Sequence, residues 1–208
     1  MIFPAPGGAL QTFAERHGIR IGARAIAPGD EVRLWPEEAE ALAALRLERR
    51  RASGAARALA RNLLAEFGAR PCAIGRDGDG VPLWPPGFAG SLAHDETHAL
   101  AAVARSEKIS ALGADLEPDA PLASELLELV ATPAECARYD LALLRRRVLF
   151  VVKEAAFKAL FPADRRFLDF HDIEIDLGSG RARTKFGGRC LFAWEGGAKI
   201  VALAAREA

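Results

Sequence analysis

The sequence predicts an α+β fold built from two similar α/β halves, and three observations carry that expectation. Helical apolar periodicity is concentrated in two long stretches, residues 36–67 and 141–160. Short strand-like runs punctuated by Gly and Pro come after each stretch. The resulting order is helix, strands, helices, strands, so a helix-plus-sheet unit occurs twice with a division near residues 105–110. The expected subdomains are 1–106 and 107–208, with the active site in the cleft between them.

Taken in order, residues 36–67 read as one long helix. Pro36 suits its first turn, Glu37, Glu38 and Glu40 suit its positive end, and Gly68 suits its stop. Leu42, Leu45, Leu59, Leu63 and Leu64 supply an apolar stripe, and Gly54 costs about 1 kcal/mol of helix propensity. Residues 75–90, GRDGDGVPLWPPGFAG, are too rich in turn formers for a helix. Strands are expected at 91–94, 99–105 and 109–116, the alanines weakening the first two. Short helices are expected at 121–130 and 133–139, then an amphipathic helix over 141–160 that ends before Pro162. Strand signals at 172–177, 181–186, 190–194 and 199–204 complete the chain.

Composition narrows the function classes. Half of the 208 residues are apolar and the formal charge is zero, which favours a globular core and gives no global basic field for nucleic acid. Charge is clustered locally: Arg49, Arg50, Arg51, Arg57 and Arg61 lie close together, and Arg145, Arg146 and Arg147 form a second group. Cys72, Cys136 and Cys190 are odd in number and contain no CxxC pair, which fits a reducing compartment. The opening MIFPAPGGALQTF lacks the pattern of a signal peptide, and no apolar run approaches the roughly 20 residues of a membrane span. A soluble, cytoplasmic protein is expected.

Four features carry chemistry. In Gly113-Ala114-Asp115-Leu116-Glu117, a strand would place Asp115 and Glu117 on one face, where two carboxylates repel unless a hard cation such as Mg2+ sits between them. Gly113 would allow a ligand to approach the backbone. The alternative is a strand end with solvated acids. In Lys153-Glu154-Ala155-Ala156-Phe157-Lys158, Glu154 and Lys158 share a helix face. An ordinary surface pair is open, but the apolar neighbours Val151, Val152, Ala155 and Leu160 imply a buried helix that needs a polar partner. Gly90-Ser91-Leu92-Ala93-His94 could bind phosphate through amides, hydroxyl and imidazole, or His94 could be structural. Arg57 and Arg61, with Arg50 and Arg51 two turns earlier, make either a solvated helix face or a phosphate clamp.

Together these features resemble the 4′-phosphopantetheinyl transferase superfamily, and within it the branch typified by the enterobactin synthetase component D proteins. The G-x-D-x-E pattern is matched by Gly113, Asp115 and Glu117, and K-E-x-x-x-K by Lys153, Glu154 and Lys158. Arg57, Arg61 and Gly68 match the branch's R-x-x-x-R helix; Pro82, Trp84, Pro85, Gly87, Gly90, Ser91 and His94 match its P-x-W-P-x-G…G-S-x-x-H stretch. Order and spacing agree over about residues 48–162. Ala56, Ala114 and Val151–Val152 depart from the usual residues without removing a charged or ligating group.

The resemblance implies transfer of the 4′-phosphopantetheine arm of coenzyme A to a serine of an acyl, peptidyl or aryl carrier protein, with release of 3′,5′-ADP, and it points to siderophore or nonribosomal peptide and polyketide synthesis. It implies Mg2+, with Mn2+ as a substitute, on Asp115, Glu117 and Glu154. Glu154, Lys158 and Asp115 would be catalytic, with Glu154 as metal ligand, general base or both. Arg50, Arg57, Arg61, Ser91, His94 and Lys158 would contact coenzyme A. The two-halved layout makes a monomer sufficient, and charge and hydropathy give no expectation of nucleic-acid or membrane partners. A coenzyme A binding module without transfer activity, or a protein with the fold alone, are the competing expectations.

Overall fold

The computed structural model describes residues 8–208, with the side chain of Arg145 left out. Residues 1–7, half of the opening segment MIFPAPGGALQTF, lie outside the described residues. The chain begins with a helix Ala9–His17 (α1), a strand Arg20–Ala25 (β1) and a 3₁₀ turn Asp30–Arg33, then the helices Pro36–Ala41 (α2) and Leu47–Glu66 (α3). Strands Phe88–His94 (β2), His98–Arg105 (β3) and Ile109–Pro118 (β4) succeed them. Helices Ser124–Val130 (α4), Pro133–Arg138 (α5), Leu141–Arg145 (α6) and Val148–Asp164 (α7) come next. After a 3₁₀ turn Phe170–Asp172, the strands Ile173–Asp176 (β5), Arg181–Thr184 (β6), Arg189–Glu195 (β7) and Lys199–Glu207 (β8) end the chain. No described helix is long and apolar enough to cross a membrane.

The strands form two antiparallel sheets, β1-β3-β2 and β4-β8-β7-β6-β5. Period-two alternation divides each central strand between two neighbours. Ala101 and Val103 of β3 meet Ala60, Leu63 and Leu64 of α3, whereas Leu100, Ala102 and Ala104 turn to the other sheet. There they pack on Leu112, Ala114 and Leu116 of β4 and on Val201, Leu203 and Ala205 of β8. Ala202 and Ala204 face the opposite way, onto Val151, Val152, Ala155 and Ala156 of α7. The result is four layers, helix, sheet, sheet, helix, and the α+β architecture of two α/β halves expected from the sequence is the one observed. The alanines that weaken the strand signal are the residues that let these layers approach.

Two of the expected helices are each divided in two. The stretch 36–67 breaks between α2 and α3 because Glu38, fully buried, bonds Arg61 Nη1 at 2.7 Å and the Ile74 amide at 2.7 Å. On one straight helix Glu38 and Arg61 would stand roughly 34 Å apart, at 1.5 Å per residue; folding α2 back onto α3 brings them together. The stretch 141–160 breaks between α6 and α7, and α7 then runs through Pro162 to Asp164. Pro162 sits in the last turn, where its missing N–H costs the helix a single i→i−4 bond, and the helix closes on Arg165 with φ 47° and its amide on the Phe161 carbonyl.

Gly113 has a different reason from the one its sequence suggests. A Cβ there would lie 1.8 Å from the Ala155 carbonyl oxygen and 2.6 Å from the Ala159 nitrogen. It is the backbone of α7, not a ligand, that approaches β4 at this point. Gly54 likewise admits the carbonyl of Asp30, which a Cβ would meet at 2.0 Å. Gly113→Ala should therefore lower unfolding stability by about 3 kcal/mol or more, the upper range for overpacking, as read by urea denaturation; a loss under about 0.5 kcal/mol would show that α7 can shift.

Candidate active site

The close contact at Gly113 brings the end of β4 up against α7. Asp115, two residues on, faces α7, and Lys158 Nζ donates to its Oδ1 at 2.7 Å and to the Ala114 carbonyl at 3.1 Å. Glu117 accepts from Arg147 Nη1 at 2.6 Å at the start of α7. Glu154, one helical turn before Lys158, is half-buried. Burial raises the Glu154 carboxyl above its ordinary range, and the negative charges of Asp115 and Glu117 push the same way against Lys158. Burial also raises Asp115, with Lys158 opposing.

The donor set suits a hard divalent cation. Three carboxylates lie within one another's field, with Lys158 and Arg147 as the cations facing them. Oxygen donors carrying surplus negative charge in a half-buried site suit Mg2+ or Mn2+. Among the described residues, however, no three acidic, imidazole or thiol side chains stand as a ready coordination shell. Asp115 is turned onto Lys158 and Glu117 onto Arg147. The donor chemistry fits, and the side chains would have to turn from these cations to bind the ion.

A cavity of about 730 Å³ opens beside Lys158, and both sheets and both long helices contribute to it. Its polar lining includes Arg57, Arg76, Ser91, His94, Lys158 and Arg165, together with the acids Asp77 and Asp79. An apolar wall is made by Trp84, Phe157, Phe161 and Phe167; the ring centroids of Phe157 and Phe161 are 5.1 Å apart, and those of Phe157 and Phe167 are 5.6 Å apart. Arg165 Nη1 bridges to Asp77 at 2.6 Å and Asp79 at 2.9 Å, clasping the 75–83 loop to the end of α7.

The expected phosphate contacts are placed unevenly. Arg57 is buried, donates through Nε to the Ile74 carbonyl at 2.8 Å, and has its pKa lowered by burial. His94 is likewise lowered, by burial and then by the positive charge of Arg49, so it is held toward the neutral form. Ser91 lines the cavity, but its oxygen already accepts from the Ala114 amide at 2.9 Å. Arg61 does not line the cavity: its two terminal nitrogens bond Glu38 and the Arg33 carbonyl, and its guanidinium lies 5.1 Å over the Trp35 ring. Arg50 is also outside the cavity lining, and its Nε is buried without a partner among the described residues.

Some contributors carry no distinguishing mark in the sequence. Arg76 lies in the turn-rich segment, where nothing periodic marks it, and its charge acts on Arg57. Arg49 is one of a run of three, and only the fold shows that its charge reaches His94. Arg147 shows no pairing with Glu117 until α6 and α7 separate.

Residues 37–104 match the family described as the 4′-phosphopantetheinyl transferase N-terminal domain, and residues 111–203 match the 4′-phosphopantetheinyl transferase superfamily. The chain belongs to the 4′-phosphopantetheinyl transferase superfamily. It is 35% identical over 187 residues to the 4′-phosphopantetheinyl transferase Npt of Nocardia iowensis, covering 80% of this chain and 84% of that protein. It is 36% identical over 186 residues to the 4′-phosphopantetheinyl transferase Svp of Streptomyces mobaraensis, covering 82% and 76%. A shorter match, 37% over 102 residues, covers 44% of this chain and 46% of enterobactin synthase component D of Escherichia coli O157:H7.

Within this phosphopantetheinyl transferase, Lys153 is not in the cavity although it neighbours Glu154. It is fully buried, donating to Glu135 Oε2 at 2.7 Å and to the carbonyls of Val130 and Phe170. Glu135 in turn accepts from the Thr132 and Ile175 amides. Lys153→Met should cost about 3–5 kcal/mol by leaving Glu135 as an unpaired buried charge, and adding Glu135→Leu should recover much of it. If the double variant is as unstable as the single one, the ion pair is not the cause.

Glu154 gives the opposite sign. Its raised pKa means that the folded state binds a proton more tightly than the unfolded state, so the carboxylate destabilises the ligand-free protein above the raised pKa. That penalty disappears as pH falls to the ordinary value of 4.5. Glu154→Gln should raise the thermal midpoint at pH 8, and the gain over wild type should vanish near pH 4. A variant less stable than wild type at pH 8 would contradict the assigned repulsion.

Proposed function

We propose that this chain transfers 4′-phosphopantetheine from coenzyme A to a serine of a carrier protein, releasing 3′,5′-ADP. The observation that carries the reading is a cavity lined by Arg57, Arg76, His94 and Lys158, in a member of this superfamily, with Lys158 bonded to Asp115 in a carboxylate group, Asp115, Glu117 and Glu154, that does not itself line the cavity. We take residues 1–106 and 107–208 as the two subdomains, the first supplying the phosphate-binding cations and the second the carboxylates and Lys158. The site is complete within one chain, and a monomer suffices.

In this reading the cations of the first half, Arg57 and Arg76, hold the phosphates of the donor together with His94. Arg49 assists from outside, whereas Arg61 acts by supporting the 72–76 segment through Glu38. The apolar wall of Phe157, Phe161 and Phe167 takes the uncharged arm and keeps water from the reacting phosphorus. The serine oxygen forms a bond to the β-phosphorus as the bond to 3′,5′-ADP breaks, and the serine proton passes to Glu154. In the metal-free site burial raises the Glu154 carboxyl, which makes it a stronger base than an ordinary carboxylate. Lys158, held by the Ala114 carbonyl and released by Asp115 when that carboxylate turns to the ion, directs its free N–H groups at the phosphoryl oxygens. Bound Mg2+ or Mn2+ on Asp115, Glu117 and Glu154 would neutralise charge on the pyrophosphate. The partial match to enterobactin synthase component D supports siderophore or other nonribosomal peptide carriers as acceptors. Three free cysteines agree with a reducing cytoplasmic setting.

The test is the intact mass of an apo carrier protein incubated with this protein, coenzyme A and Mg2+. We expect the carrier to gain one phosphopantetheine, the gain to be lost with EDTA, and Asp115→Asn or Glu154→Gln to slow it by about 100-fold or more. No gain on peptidyl, aryl and acyl carriers, together with thermal stabilisation by coenzyme A, would make the protein a binding module instead.

A further inference from the structure

His94 and Glu117 lie on different strands, β2 and β4, and a transferase site needs the distance between them fixed. Ser91, three residues before His94, ties β2 to β4 through the Ala114 amide. Beyond His94 the chain turns back at Asp95–Thr97 into β3. One oxygen of Asp95, Oδ1, closes that turn: it accepts from the Thr97 amide at 2.7 Å, the Thr97 hydroxyl at 3.0 Å and the His98 amide at 2.8 Å. The turn is complete with those bonds. The other oxygen, Oδ2, accepts from Lys199 Nζ, which also donates to the Thr97 hydroxyl at 2.9 Å.

Lys199 belongs to the other sheet. It opens β8 and pairs in register with Pro118, the residue after Glu117. Its side chain is 14% exposed and that of Asp95 7%, so the pair is shielded from water and from salt. Asp95 also acts on the imidazole beside it: its backbone and its charge both favour protonated His94, against burial and Arg49. One residue therefore touches His94 by sequence, shapes its environment by charge, and is held from the carboxylate end of the opposite sheet.

We propose that Asp95 and Lys199 are a positioning pair that fixes His94 against the Glu117 end of β4 and so sets the affinity for the phosphate-bearing donor. The proposal rests on the reading of His94 as a donor-phosphate contact. Neither residue lines the cavity. Lys199 acts through Asp95, and Asp95 acts through His94. Because Oδ1 alone closes the turn, loss of Lys199 leaves the turn bonded and frees only its link to the second sheet. Displacements of about 1 Å at a phosphate contact are enough to cost large factors in binding and rate.

The experiment compares Lys199→Met, Lys199→Arg, Asp95→Asn and His94→Ala in the full chain. Calorimetry gives the Kd for coenzyme A, steady-state assays give KM for coenzyme A and for the carrier, and thermal midpoints report folding. Lys199→Met should raise Kd and KM for coenzyme A about tenfold, with KM for the carrier within about twofold of wild type. Lys199→Arg should restore most of the affinity, which a purely packing role for the lysine stem would not require. Asp95→Asn keeps an acceptor for the turn and should match Lys199→Met, so the pair remains testable if either variant folds poorly. Unchanged coenzyme A affinity in Lys199→Met and Asp95→Asn, with a clear loss in His94→Ala, would reduce the pair to a fold contact. Unchanged affinity in His94→Ala would instead remove the phosphate role of His94, and the positioning role with it.

Discussion

The contact on which the rest of the molecule depends is the one between the Gly113 backbone and the Ala155 carbonyl. Antiparallel pairing with β8 makes β4 a stiff rod, and α7 is a second one. Where the rods touch without a side chain between them, the residues just beyond, Asp115 and Glu117 on one and Glu154 and Lys158 on the other, come within reach of each other. Any side chain at 113 would wedge the rods apart. The chemistry of the site thus begins with the absence of a Cβ.

The two lysines flanking Glu154 show how position on a helix separates structure from chemistry. Lys153 points into the second-half core and spends all three of its bonds on Glu135 and two carbonyls. Lys158 lies on another face, a turn later, and keeps donor capacity toward the cavity. Both belong to the same short motif, and a motif does not distinguish them. A similar division separates Arg57, which reaches the cavity, from Arg61, which is consumed by Glu38 and the Arg33 carbonyl.

The α+β class, the positions of β2 to β8 and the placing of Asp115 and Glu117 on one strand were legible because they rest on local patterns: period-two and helical alternation, turn residues, and acids two apart on a strand; α1 and β1 carry no such mark and were not expected. The breaks between α2 and α3 and between α6 and α7 were not, since no Gly or Pro marks them; they come from Glu38 and from packing decided far along the chain. The place of Arg76 and the pairing of Arg147 were hidden for the same reason. Their partners, Arg57 and Glu117, lie 19 and 30 residues away in sequence, so only the folded backbone brings them together. At Gly113 the sequence pointed to the right property, close approach, and to the wrong visitor.

The alanine layers have a consequence of their own. Where Ala102 and Ala104 face β4 and β8, and Ala202 and Ala204 face α7, spacing between layers is set by methyl groups. Such seams bury less apolar area per residue than leucine would, yet they offer no spare volume for growth. The molecule is therefore thin along these seams, and its freedom to vary lies elsewhere, along exposed faces and loops, while the seams hold a fixed gauge.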